Sequence, residues 1–173
     1  MDKFIPDIYA QSIYRINYDK LKKNGIKLVI FDLDNTIAPV DVKASSNEAF
    51  DLMFKIKDMG LKPIIMSNSK KHRVEPFRNH LEIDSCFLSC KPLKKNYKKI
   101  LKIYNVKREE VACIGDQLLT DVLGANKMGM TSILVNPISK KDGKFTIINR
   151  QIEKLIMNIL EKKDVFKKGK YYD

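Results

Sequence analysis

Five short apolar, β-branched stretches recur along the chain: Lys27–Leu33 (KLVIFDL), Leu61–Ser67 (LKPIIMS), Ser85–Ser89 (SCFLS), Val111–Gly115 (VACIG) and Thr131–Asn136 (TSILVN). Between them the apolar positions change to helical spacing. Ala49, Leu52, Met53, Ile56 and Met59 form one stripe, and Tyr97, Ile100, Leu101 and Tyr104 a second. Leu118, Val122, Ala125 and Met128/Met130 form a third, and Ile152, Leu155, Ile156 and Ile159 a fourth. Strands alternating with helices of about ten residues predict βαβ units, and so an α/β fold with a mostly parallel five-stranded sheet covered on both faces. Such sheets collect function at the carboxyl ends of their strands.

No repeat, low-complexity tract or Pro/Gly-rich linker interrupts the pattern. Residues 1–24 read as a preface ending in a short helix stopped by Asn24-Gly25, with possible contact to a surface or membrane. Its tyrosines Tyr9, Tyr14 and Tyr18 are expected to pack across the sheet edge. Residues 25–161 form the single domain, and 162–173 (KKDVFKKGKYYD) a basic, aromatic tail expected to be loosely ordered.

The residues just beyond the strands carry the chemistry. The first strand runs into Asp32-Leu33-Asp34-Asn35-Thr36, and the second ends in Ser67-Asn68-Ser69. The third is followed by Lys91-Pro92, and the fourth ends in Gly115-Asp116 with Asp121 five residues later. Four carboxylates and one ammonium at one edge ask for a hard divalent cation, and oxygen ligands select Mg2+.

Charge narrows the partner. Lys and Arg total 33 against 21 acidic residues in 173, a formal net charge of +12, which favours anionic partners. Residues 91–108 hold eight basic side chains and no acid. Lys94, Lys95, Lys98, Lys99 and Lys102 are expected on the solvent face of one helix, and Lys70, Lys71, His72, Arg73 and Arg78 follow the second strand in the same way. Three cysteines cannot pair evenly and no secretory signal precedes them, so a reducing cytoplasm is expected, with at most a peripheral position on the inner face of the cell membrane. No apolar run is long enough to span a bilayer. Cys86 and Cys90 with His72 and His80 lack a CxxC pair; the two cysteines are expected as small buried hydrophobes and His72 as an exposed helix-start residue. No GxxxxGK[ST] or GxGxxG occurs.

The ordered set DLDNT, Ser67, Lys91 and GDQLLTD resembles the four motifs of the haloacid dehalogenase (HAD) superfamily, over residues 27–137. The resemblance implies a Rossmann-like, three-layer domain. It also implies Asp32 as nucleophile forming an aspartyl-phosphate, and Asp34 as the acid and base that serves leaving oxygen and attacking water. Asp32 and Asp116, with the backbone carbonyl of Asp34, would hold Mg2+. Ser67 and Lys91 would bind the phosphoryl group, and Asn68 either that group or the leaving group. Thr36 would brace the loop, and Asp121 would hold a metal-bound water or orient Lys91. An Asp at position 34 is similar to the phosphatases and phosphomutases of the superfamily rather than its dehalogenases or ion pumps.

Only 30 residues separate Thr36 from Ser67, and 23 separate Ser67 from Lys91. Neither interval can hold a large cap domain, so the site is expected to be open and its substrate large or presented on a surface. The stretches FIPDIYAQSIYRINYDKLKKNGIKLVIFDLDNT and VACIGDQLLTDVLGANKMGMTSILVNPI resemble the YqeG-type phosphatases of HAD subclass IIIA and their mitochondrial relatives. That resemblance implies dephosphorylation of phosphatidylglycerophosphate to phosphatidylglycerol, an anionic lipid head group as partner, and an anionic membrane surface met peripherally. The alternatives are a capless phosphatase for a protein, a nucleic-acid end or a soluble metabolite, and a non-enzymatic assembly or scaffold protein. Nucleic acid is disfavoured because no stacking aromatics lie on the lysine face.

Overall fold

Alternate residues of the central strands point to opposite faces of one sheet, and each face has its own core. The computed structural model describes residues 1–142 and 144–173. Its strands are β1 (Ile8–Ala10), β2 (Leu28–Phe31), β3 (Lys62–Met66), β4 (Asp84–Cys86), β5 (Val111–Gly115) and β6 (Thr131–Val135). Its helices are α1 (Tyr18–Lys23), α2 (Asn47–Asp58), α3 (Lys71–Leu81), α4 (Lys94–Tyr104), α5 (Leu123–Met128) and α6 (Lys144–Lys162). All neighbouring strands are parallel, in the order β1-β6-β5-β2-β3-β4.

Val29 and Phe31 of β2 turn to one side, against Met53 and Ile56 of α2, Val74 and Phe77 of α3, and Ile13, Tyr18 and Leu21 of the N-terminal segment. Leu28 and Ile30 turn to the other, against Tyr97 and Ile100 of α4 and Ala125 of α5. This two-sided burial explains why the central strands read as unbroken apolar runs. Local signals set the helix ends. The Ser46 hydroxyl accepts from the Ala49 N–H at 3.1 Å to start α2, and Gly25, at φ +88°, lets the chain turn after α1.

The sheet has six strands rather than five. Residues 8–10 pair with Ile133–Val135 of β6, and three residues between Pro6 and a polar Gln-Ser are too few to show alternation. The outer edge of β1 is closed in turn: Tyr9 and Tyr172 exchange backbone hydrogen bonds at 2.8 and 3.0 Å. Phe166 is buried with Tyr9, Leu134 and Leu160 in a third cluster, so the 162–173 segment packs on the domain. Tyr9 and Tyr18 are buried, as expected of them, and Tyr14 is partly so. β4 is shorter than its apolar stretch, and Phe87 and Leu88 stand exposed on the loop that follows. Between β2 and α2 lies only a loop, and between β3 and Lys91 only α3, β4 and their connections, so neither interval holds a cap.

Candidate active site

β2, β3 and β5 run in register, and so deliver their carboxyl-terminal residues to one edge of the sheet. There Asp32, Ser67, Lys91, Asp116 and Asp121 are all buried. The Lys91 ammonium lies 2.6 Å from Asp32 Oδ1 and 2.6 Å from Asp121 Oδ1, bridging two strand ends and a helical turn. One carboxylate oxygen from each of Asp32, Asp116 and Asp121 falls within 4.8 Å of the others. Asp121 is therefore a full member of the acidic cluster and, at the same time, a partner of Lys91. It arrives there on a π-helical turn, Leu118–Val122, and its carboxylate lies so close to Gly115 that a Cβ at that position would collide with it. The glycine of the Gly115-Asp116 pair is what lets the turn close.

Burial dominates the electrostatics. It lifts the Asp32 carboxyl from 3.8 to about 7, against the opposing pull of Lys91. It lifts Asp116 to about 8, against the pull of Arg150. Burial alone would lower the Lys91 pKa; the Asp121 and Asp32 carboxylates outweigh it and hold the ammonium more firmly protonated than in water. Crowded, desolvated carboxylates whose protons are hard to remove form a site that a divalent cation, bringing two positive charges, would relieve. The donor set is all oxygen, which fits Mg2+.

Asp34 sits apart from this cluster, at the rim. Its carboxylate accepts from Arg73 Nε at 2.9 Å and from the Ser69 hydroxyl at 2.6 Å. The same guanidinium donates to the carbonyls of Pro39 and Val42 and stacks 4.6 Å from the Phe77 ring centroid, so it ties the loop after β2 to α3. Arg73, expected merely as one of a basic group, thus lies in contact with Asp34 at the candidate site. Thr36 Oγ1 donates to Asp116 Oδ1 at 3.3 Å, and the Ser67 hydroxyl accepts from the Ser69 N–H at 3.1 Å. Asn68, expected on the phosphate or leaving group, instead turns its side chain to the Lys91 loop. Its oxygen accepts from the Lys91 N–H at 2.7 Å and the Ser89 hydroxyl at 2.8 Å, and its nitrogen donates to the Lys91 carbonyl at 3.1 Å.

Arg150 of α6 was not foreseen at all. It contacts the Asp116 carboxylate, donates to the Asp116 carbonyl at 2.8 Å and pairs with Glu153 at 3.1 Å. Buried Glu153 also accepts the Leu119 N–H at 2.9 Å, anchoring the π-helical turn to α6. The lysines of α4 point to solvent as expected, over buried Tyr97 and Ile100. Cys90 is exposed and Cys86 half-buried, contrary to the expectation of buried hydrophobes, because Cys86 ends the short edge strand β4 and Cys90 lies in the loop after it, neither being in a central strand. His72 is exposed, and His80 Nδ1 meets the Ser45 hydroxyl; among the described residues these four form no metal group.

The chain is similar to known proteins in family pattern, in sequence and in fold. A family model described as HAD-hydrolase-like matches residues 89–142. "Probable phosphatase YqeG" of Bacillus subtilis is 37% identical over 160 residues, covering 92% of this chain and 93% of that protein. The chloroplastic/mitochondrial phosphatidylglycerophosphate phosphatase 1 of Arabidopsis thaliana is 23% identical over 172 residues, covering 91% of this chain but 47% of the plant protein. Among solved structures, the cobalt-bound deoxy-D-mannose-octulosonate 8-phosphate phosphatase of Haemophilus influenzae superposes with a TM-score of 0.54 at 16% identity, over 84% of this chain and 95% of that one.

Proposed function

The chain belongs to the HAD-like phosphatase family, and from that premise we propose that it is a Mg2+-dependent phosphomonoesterase acting on phosphatidylglycerophosphate at a membrane surface. One observation carries the reading: Lys91 bridges buried Asp32 and Asp121 at 2.6 Å, with Asp116 completing a compact acidic cluster. A carboxylate and an ammonium so placed can take an anionic phosphoryl group, while an inert scaffold has no use for three repelling carboxylates.

Asp32 attacks phosphorus, and the bond to the ester oxygen breaks as Asp34 gives that oxygen its proton. Water then attacks the aspartyl-phosphate, surrendering a proton to Asp34; phosphate leaves and Asp32 is restored. Lys91 and the Ser67 hydroxyl hold the phosphoryl oxygens. Asp32, Asp116 and the Asp34 carbonyl would hold Mg2+, with the Asp121 carboxylate beside them, and the ion would supply positive charge that screens carboxylate–phosphate repulsion. Asn68 and Thr36 position Lys91 and Asp116, and Arg73 positions Asp34.

The lipid substrate has three supports: the absence of a cap, a positive charge of +12, and the distant plant relative named for that substrate. Among the described residues no helix is long and apolar enough to cross a membrane, which fits a peripheral protein of the cytoplasmic face. The test is phosphate release from phosphatidylglycerophosphate in anionic vesicles, with Mg2+ and with chelator, for wild type and Asp32→Asn. Release by wild type with Mg2+ alone supports the reading. Brisk hydrolysis of soluble esters with none of the lipid would remove the substrate assignment and keep the phosphatase.

A further inference from the structure

Helix α6 is apolar on two faces, and only one is covered. Its inner face brings Arg150 and Glu153 to the catalytic edge and packs Ile156, Met157 and Leu160 into the cluster around Tyr9 and Leu134. Its outer face carries Ile148, Ile152, Leu155 and Ile159, which are 60, 44, 65 and 45% exposed. Their spacing of four, three and four residues makes one continuous stripe along the helix. A row of large aliphatic side chains in water forfeits the burial that stabilises the rest of the domain and marks a surface meant for contact.

Charge identifies the occupant. Beside the stripe a cleft of about 750 Å³ lies between α6, the segment that follows β6 and Val40 of the loop after β2. It is lined by Lys140 and Lys154, by Lys141, whose ammonium pairs with Asp41 at 2.6 Å, and by Val40 and Ile147; Arg150 in its wall is held by Asp142 at 3.4 Å as well as by Asp116 and Glu153. Residues 162–173, which follow the helix, add five lysines against two aspartates. A second copy of the chain would bring like charges together across the stripe. An anionic bilayer complements both features, since its acyl region takes the aliphatic row and its head groups take the lysines.

We propose that the outer face of α6, with the lysine-lined cleft beside it, is the docking surface for an anionic lipid bilayer. Docked this way, the cleft faces the head groups, and Arg150 in its wall connects it to Asp116, so a lipid phosphomonoester has a route from its leaflet to the catalytic edge. The inference deepens the phosphatase reading and rests on it for the identity of what enters, but docking itself is measurable without turnover.

The chain has no tryptophan, so Leu155→Trp places a single reporter on the stripe. Vesicles of phosphatidylglycerol and phosphatidylcholine, free of any phosphomonoester, are expected to shift its emission to the blue; pure phosphatidylcholine is not. In co-sedimentation with the same anionic vesicles, Ile152→Asp/Leu155→Asp is expected to bind at least about tenfold more weakly than wild type, with its melting temperature retained because both positions are exposed. Unshifted emission, or a double variant that sediments like wild type, overturns the proposal. So does a wild-type dimer, seen by light scattering, that the double variant abolishes without any vesicle binding by wild type. Vesicle binding with no phosphate release from any ester would sink the phosphatase reading and leave the docking surface in place.

Discussion

The two aspartates of the DLDNT segment, two positions apart, live in different environments. Asp32 belongs to a deep half in which its side chain is 8% exposed and that of Lys91 4%. Asp34 belongs to a rim where its side chain is 24% exposed and is held by Arg73 and Ser69. The deep half is desolvated, so its charges must be balanced by one another or by a cation; the rim carboxylate keeps contact with water. The separation matches the division of labour proposed here: covalent chemistry inside, proton traffic outside.

The sharpest way to break that contrast is Asp32→Asn, which keeps the shape and removes the nucleophile. Phosphate release is expected to fall by on the order of 10⁴ or more. Activity near that of wild type in a clean preparation would end the assignment. Lys91→Met comes next, since it strips Asp32 and Asp121 of their shared counter-charge. In chelator the variant is expected to lose about 3–5 kcal/mol by chemical denaturation, and to recover part of it when Mg2+ is added. Equal stability with and without the ion would show that the cluster does not bind it.

At the rim, Arg73→Lys keeps the charge but loses the fork that spans Asp34 and the Pro39 carbonyl. A fall of about 10- to 100-fold in kcat is expected, with KM for a soluble ester little changed and stability within about 1 kcal/mol of wild type. A purely structural role would instead lower the melting temperature and leave kcat alone.

The smallest expected effect is one of pH. Asp32 and Asp116 titrate near 7 and 8 in the folded chain, above their ordinary 3.8. Their contribution to stability is therefore complete below about pH 4 and is lost as pH rises through 7 to 8. Lys91, raised above its ordinary value, keeps its contribution throughout that window. The melting temperature of the chelated protein should fall from pH 5 to 8.5, and the rise given by Mg2+ should widen over the same range. A Mg2+ effect independent of pH would mean that the ion binds elsewhere.

The polar edge of the candidate site was legible because a strand followed by a polar residue is a local pattern, and Asp32, Asp34, Ser67, Lys91 and Asp116 each show it. What escaped notice depended on distance or on length. Arg150 lies 34 residues beyond Asp116, and nothing nearby in sequence says that α6 folds back over the edge. Arg73 was hidden among the basic residues Lys70, Lys71, His72 and Arg78, which look alike until one of the group pairs with a carboxylate. β1 is three residues long and takes its meaning from β6, more than a hundred positions away. On α6, Ile152, Leu155, Ile156 and Ile159 read as a single core stripe. The helix is apolar on both sides, however, and its periodicity cannot say which side faces in.

The bridge between Tyr9 and Tyr172 has a consequence for the solution behaviour of the protein. A parallel sheet that ended at β1 would present a row of free amides and carbonyls, ready to template a neighbouring chain. The pairing with Tyr172 is a selvedge that keeps the cloth from being stitched to the next piece. Trimming the last eight residues would unpick it, and growing oligomers built by lateral strand addition would be the outcome to look for.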